Sequence, residues 1–504
     1  MEALWSDFAL AQRTSDGYLL GTTISPEPPK SDPARLYNFH RWTNPGSLQT
    51  DLRYKLQYNP NLKLDKKEAN TWLDIFTAYY NFTTTLLAAE EAKNAQRPRE
   101  ADWSTVYESW KNVLNAVIRA YQNEMFEAWT IPCLYIVGKY LRIFAIKADD
   151  NAALAQRDTD VALGVHDEDM SNSSSSRNEK LEDAARQIGR IFALCLGDRS
   201  PLDDSRKWAL YYIANLSFKT YFRLNSISLS KNILRSLQAQ APGELPELSA
   251  FPRAHQVTFK YYSGVIDFLS EDYKAAEEKL LAAYEMCLYS PTNTTTTTTS
   301  RNRDLILTYL IPTKLLTSGL LPTIALLSSS PNLTHLFQPI AHAIKTANLS
   351  AFHAALAANE ETFIKRRIYL TLERGRDLLL RNLFRKVFVA GGYEPSAAGA
   401  AEGVVTEKVR RTRIPIREFA AALRMAGMAE EEIGDGEGGV DEEGVECLLA
   451  NCVYKNYMKG YISRDHDLIL ISHLDDDDDD DDDVDDDKDD GKLEQQKRKM
   501  SKKW

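Results

Sequence analysis

The sequence predicts a mainly α protein: a helical-repeat solenoid capped near its C-terminus by a winged helix. Three observations predict it. Apolar residues recur at helical spacing almost throughout, and no alternating run of strand length occurs before residue 460. Residues 405–474 then read as helix, helix and short hairpin. Of the 504 residues, 43% are hydrophobic and 10% aromatic, enough to bury a sizeable core and too many for bulk disorder.

Charge is unevenly spread. The chain carries −11, but residues 475–490 alone carry −13 and residues 491–504 carry +5. Residues 1–474 are therefore near neutral at −3. The low overall charge does not exclude a nucleic-acid partner. The five cysteines, at 133, 195, 287, 447 and 452, show no C-x-x-C spacing and no following His pair. That argues against structural zinc and against a disulfide framework. The N-terminus has no basic region followed by an apolar core, so no signal peptide is expected. The apolar stretch Ile131–Ile146 is interrupted by Lys139 and Arg142, so no membrane span is expected there.

The elements follow in order. Four stretches read as breaks: 21–50, 149–180, Pro291–Ser300 and 391–407. Trp72, Ile75, Phe76 and Tyr79 mark one helix face, and Val106, Trp110, Val113, Leu114 and Val117 the next. Residues 208–237 read as a helix pair. Tyr262, Gly264 and Phe268, a Ser-Glu-Asp turn, then Tyr273, Ala276, Leu280 and Ala283 read as one tetratricopeptide-like unit. Helical hairpins at 304–328, 333–346 and 349–366 continue the stack. Ile416, Phe419, Ala420 and Leu423 form one winged-helix stripe, and Val445, Leu448, Leu449 and Cys452 the other. Asp441 is a plausible N-cap of the second helix. The expected division is 1–200 N-terminal helical repeats, 201–404 further repeats, 405–474 winged helix and 475–504 tail.

Three stretches resemble the PCI-domain family: RNLFRKVF at 381–388, IPIREFAAALRMAG at 414–427 and VECLLANCVYKNYMKGYISRDHDLILIS at 445–472. They are most similar to its signalosome subunit-twelve-like branch, relatives of the PCI subunit of the nuclear transcription-and-export complex. ALAQRTSDGYLLGTTISP, near the N-terminus, is similar to the same branch. The GDGEGG insertion, the Ser and Thr runs and the poly-Asp tail depart from the pattern. The resemblance implies a right-handed tetratricopeptide-like solenoid closed by a winged helix, the PCI domain; the acidic tail is expected to be disordered because its charges repel one another. It implies a scaffold without enzymatic activity or cofactor. Its implied partners are a larger helical scaffold protein, a small acidic disordered subunit and RNA or DNA. The implied role is transcription-coupled mRNA export in the nucleus, with the cytoplasm as a second location and no membrane. The alternative is an accessory subunit of the COP signalosome, the protein deneddylation complex, with the winged helix used only for assembly.

Candidate site residues come from charge. Residues 363–419 hold thirteen Lys/Arg against six Asp/Glu. Arg374, Arg381 and Arg385 fall on one helical stripe, expected to dock phosphate or an acidic partner. Lys408, Arg410, Arg411 and Arg413 precede the first winged-helix helix. Lys455, Lys459 and Arg464 sit at the end of the second helix and on the wing. Both sets are expected to meet a nucleic-acid backbone, with Tyr457 and Tyr461 placed to stack on bases. The bland alternative makes the cations a solvated face and the tyrosines core. Asp465, His466 and Asp467 read as turn chemistry, and no catalytic or metal-ligating residue is expected. The Asp run buries nothing and repels itself, so it reads as a solubility tail or as a nucleic-acid mimic folded onto the basic face. KRKMSKKW at 497–504 resembles a nuclear-import patch.

Overall fold

The computed structural model describes residues 2–58, 62, 64–95, 101–163, 178–241, 243–287, 297–393, 410–427 and 442–471. The Ser run, most of the Thr run, Lys408, the GDGEGG loop, Asp441 and the acidic tail lie outside these residues. By contact the chain forms two units, Met1–Ile266 and Asp267–Trp504.

The first unit is a succession of helices. It begins with α1 (Glu2–Thr14), α2 (Gly17–Thr23), α3 (Arg35–Trp42) and α4 (Leu48–Gln57). It continues with α5 (Lys66–Asn94), α6 (Trp103–Gln122), α7 (Ile131–Leu163) and α8 (Glu179–Leu196). It closes with α9 (Leu210–Arg223), α10 (Ile227–Gln238) and most of α11 (Arg253–Phe268). From α4 to α10 each helix packs on the next, while α2 packs on α7 and α3 on α5. The expected stripes are its core: Trp72, Ile75, Phe76 and Tyr79 on α5 and Val106, Trp110, Val113, Leu114 and Val117 on α6 are all buried. Trp110 packs 4.5 Å from the Phe82 ring, and its Nε1 donates to the Val137 carbonyl at 3.0 Å.

Three differences from the sequence reading have physical causes. The stretch 21–50 contains α3, which buries Leu36 and Phe39; its Pro and Gly residues flank that helix instead of interrupting it. α7 runs past Ile146 to Leu163, and Ala128–Ala155 is long and apolar enough to cross a membrane by length and composition. More than half of that window is buried in the protein, with Cys133, Leu134, Val137 and Leu141 wholly enclosed, as in a core helix. The units divide after Ile266 and not at the expected 200, because α8 packs closely on α9 across that point.

The second unit opens on the expected turn. Glu271 takes a left-handed conformation, and the Asp272 side chain caps α12 (Tyr273–Met286) by accepting the Ala275 N–H at 3.2 Å. Ala276, Leu280 and Ala283 are buried, and α12 packs closely on α13 (Thr297–Thr317). Then come α14 (Ile324–Leu327), α15 (Pro331–Thr346), α16 (Leu349–Ala358), α17 (Glu360–Arg366), α18 (Tyr369–Glu373) and α19 (Gly375–Ala390).

The winged helix follows: β1 (Arg413–Pro415), α20 (Ile416–Met425), α21 (Glu442–Tyr454), β2 (Gly460–Ser463) and β3 (Leu468–Ile471). Its sheet is antiparallel with order β1-β3-β2, so the last strand is central. The sequence reading had the β2–β3 hairpin but not β1, which at three residues is too short to show a period. The expected stripes are buried on α20 and on α21, where Leu448 alone stays half-exposed. α19 packs against α15 on one side and against α20 and α21 on the other, with Phe384 edge-on to Phe419 at 5.5 Å. It thus serves both the helical stack and the winged helix.

Candidate nucleic-acid interface

α19 turns buried Phe384 and Phe388 toward the winged helix, with Phe384 edge-on to Phe419, and Arg381 and Arg385 border that contact. Beyond α21, Tyr457 N–H donates to the Cys452 carbonyl at 2.9 Å, and Asn456 is left-handed, which folds the chain back toward β2. The fold brings the segment 457–459 against α19. A shallow notch results, floored by Phe384, Phe388, Met458 and Ile471 and rimmed by Arg381, Arg385, Lys459 and Tyr457. Arg385 and Lys459 are exposed, and Arg381 and Tyr457 are half-buried. Burial raises the Tyr457 hydroxyl pKa, nearby Asp377 adds to the rise, and the Lys455 and Arg381 cations oppose it. Tyr457 is therefore a neutral donor at physiological pH.

Gly460 holds the floor in place. A Cβ there would overlap the Leu470 carbonyl oxygen and lie 3.1 Å from the Ile471 Cα, so only glycine lets β2 approach β3 this closely.

The remaining candidates sort by their partners. Lys455 Nζ lies 2.6 Å from Asp377, and Arg464 Nε lies 3.0 Å from Glu446. Arg411 pairs with Glu418 at 3.3 Å. Arg410 stacks over the Tyr393 ring at 5.5 Å. Arg413 is exposed on β1, where it lies opposite Leu470. Arg374 lies 3.5 Å from Glu271 and 3.3 Å from the Tyr273 hydroxyl. It does not line the notch, so the expected stripe is divided: two helical turns separate Arg374 from Arg381, about 10 Å along the axis. Tyr461 is 62% exposed, which removes it from the core reading. Asp467 is left-handed at the wing turn, a conformation Asp tolerates, and its backbone carbonyl accepts the Ile416 N–H at 3.0 Å. Among the described residues no group of three or more His, Cys, Asp or Glu could hold a metal ion.

Sequence reasoning assigned Arg381 and Arg385 to partner docking and did not join them to Lys459. The usable signal was RNLFRKVF itself: apolar residues at 384 and 388 face the winged helix, which leaves 381 and 385 on its border.

The PCI domain model matches residues 356–473, from α16 to the end of the sheet. The chain is 46% identical over 478 residues to a Neurospora crassa protein named "Protein CSN12 homolog", covering 94% of this chain and 98% of that one. It is 44% identical over 476 residues to a protein of the same name from Gibberella zeae, again covering 94% and 98%. It is 30% identical over 372 residues to "PCI domain-containing protein 2" of Danio rerio, covering 74% of this chain and 78% of that one. The chain belongs to the PCI-domain family, in the branch of the CSN12 homologues.

Proposed function

We propose that this chain is a non-enzymatic scaffold subunit whose winged helix holds the phosphate backbone of RNA or DNA. It assembles with a larger helical scaffold protein and a small acidic subunit, and works in the nucleus in transcription-coupled mRNA export. The observation that carries the reading is the notch. Arg381, Arg385 and Lys459 border it, none of them with an acidic partner among the described residues, beside a neutral tyrosine that can stack or donate. Cations without an internal counter-charge are those available to phosphate. Lys455 and Arg464 are already neutralised by their own chain, so they contribute less than their position suggests.

The test is a fluorescence titration with a labelled single-stranded RNA and a duplex DNA, each at several salt concentrations. Arg381→Gln, Arg385→Gln and Lys459→Gln together should lower the salt slope by about 2 on single strands and about 3 on duplex. Lys455→Gln with Arg464→Gln should change it by less than about 1. Equal slopes for the two variants would refute the assignment.

A second reading has one observation in its favour. Pairing of Lys455 and Arg464 within the chain is what a winged helix used only for assembly would show. The protein would then be an accessory subunit of the COP signalosome. Affinity capture of the full chain separates the two: signalosome subunits in the eluate favour this reading, and a helical export scaffold the first.

A further inference from the structure

The notch has a candidate occupant in its own chain. Ile471, which closes β3, is one of the residues that floor the notch. The chain therefore leaves the sheet beside Arg381, Arg385 and Lys459. After three intervening residues begins the block 475–490, fourteen Asp and one Lys, formally −13. Four extended steps span at most about 14 Å, so the first carboxylate is tethered within about 14 Å of Ile471 and can reach the notch rim. A tether that short gives an effective concentration on the order of millimolar.

Charge spacing fits as well as charge sign. An extended Asp run carries one negative charge per ~3.3–3.6 Å, and a nucleic-acid strand carries one per ~3.4 Å. The last fourteen residues are +5 and would be repelled from the same place. Among the described residues the rim cations have no acidic partner, whereas Lys455, Arg464, Arg411 and Arg374 each have one.

We propose that the acidic segment 475–490 occupies the Arg381–Arg385–Lys459 notch of its own chain and competes there with nucleic acid. The competition rests on the nucleic-acid reading of the notch; the docking does not.

The experiment uses the full chain and a full-length variant in which all fourteen tail Asp are replaced by Asn. Two readouts are taken. One is the affinity for a fluorescein-labelled 20-nucleotide oligouridine at low and high salt. The other is zero-length carbodiimide cross-linking, which joins a carboxylate to an amine only in contact, mapped by mass spectrometry. The proposal expects a cross-link from the tail to Lys459 in the native chain, suppressed by excess RNA. It also expects about tenfold tighter RNA binding by the Asn-tail variant at low salt, the gap closing as salt rises. Equal RNA affinity of both chains with no tail–Lys459 cross-link overturns the proposal and leaves the nucleic-acid reading standing. No RNA binding by either chain, with the cross-link present, overturns the nucleic-acid reading and the competition and leaves the docking standing. A tenfold gain that persists in an Arg381→Gln, Arg385→Gln background, again without the cross-link, would show general repulsion and overturns occupancy.

Discussion

Gly460→Ala tests how the notch is built. The added Cβ would overlap the Leu470 carbonyl oxygen and crowd the Ile471 Cα, both of them backbone atoms of the central strand. Backbone cannot rotate aside as a side chain can, so β2 must withdraw by about 1 Å at this end, in a protein interior that resists such shifts. The Gly460–Ile471 end of the ladder then opens, while the pairs from Tyr461–Leu470 to Ser463–Leu468 can persist. One or two hydrogen bonds at about 0.5–1.5 kcal/mol each, with partial exposure of Ile471, amount to about 2 kcal/mol of local stability. The assay is amide hydrogen exchange. Protection across 460–463 and 468–471 should fall about 30-fold, while α5 and α6 are unaffected. RNA affinity should weaken with it, because Lys459 is carried on the displaced backbone. Exchange within twofold of the native chain, together with unchanged RNA affinity, would refute both the close approach and its role in forming the notch.

Three further outcomes are expected. Trp110→Ala removes a fully enclosed side chain between Phe82 and Phe144 and should cost about 3–5 kcal/mol, read as a lowered denaturant midpoint. Asp183 should shape the acid limb of stability. Burial alone would raise its pKa, but the Lys111 ammonium at 2.7 Å and the Tyr107 hydroxyl at 2.7 Å bring it down to about 2. Its folded value is below its unfolded one, so its contribution is full above about pH 4 and is lost as pH falls toward 2. Asp183→Asn should flatten the stability curve over that window by about 2 kcal/mol, measured by urea melts at stepped pH. Thiol labelling of the native protein at pH 8 should modify exposed Cys447 first, since burial lifts the Cys133, Cys195 and Cys452 thiols to about 12. Labelling of Cys133 at the rate of Cys447 would contradict the packing of α7.

The helical body was legible because its burial repeats at 3.6 residues. Trp72, Trp110, Phe419 and Leu449 all lie on the faces their spacing indicates. Trp208 and Tyr262 were less so. Both are half-buried, and Tyr262 packs on Phe222 at 5.0 Å, so its apolar neighbours come from a helix that sequence order does not single out. Arg413 gave no strand signal, because β1 is held by β3 more than fifty residues later and not by local preference. The candidate site was half legible. Basic residues can be counted in a sequence, but whether each has an acidic neighbour is decided by tertiary contact. Asp377 neutralises Lys455 across 78 positions, and Glu446 neutralises Arg464 across 18. Lys459 and Arg381, also 78 positions apart, meet on one rim with no such neighbour among the described residues.

The strand order sets a clock during synthesis. β1 leaves the ribosome well before the strand that pairs with it, because β3 is both the centre of the sheet and its last-made member. From Pro415 to Ile471 is 56 residues, roughly 3–11 s at 5–20 residues per second. Over that interval the two helices of the winged helix are made before any sheet can form, and the notch lacks the residue that completes its floor. The acidic block is translated immediately afterward. Completion of the notch floor and synthesis of the acidic block are therefore separated by only a few residues of elongation.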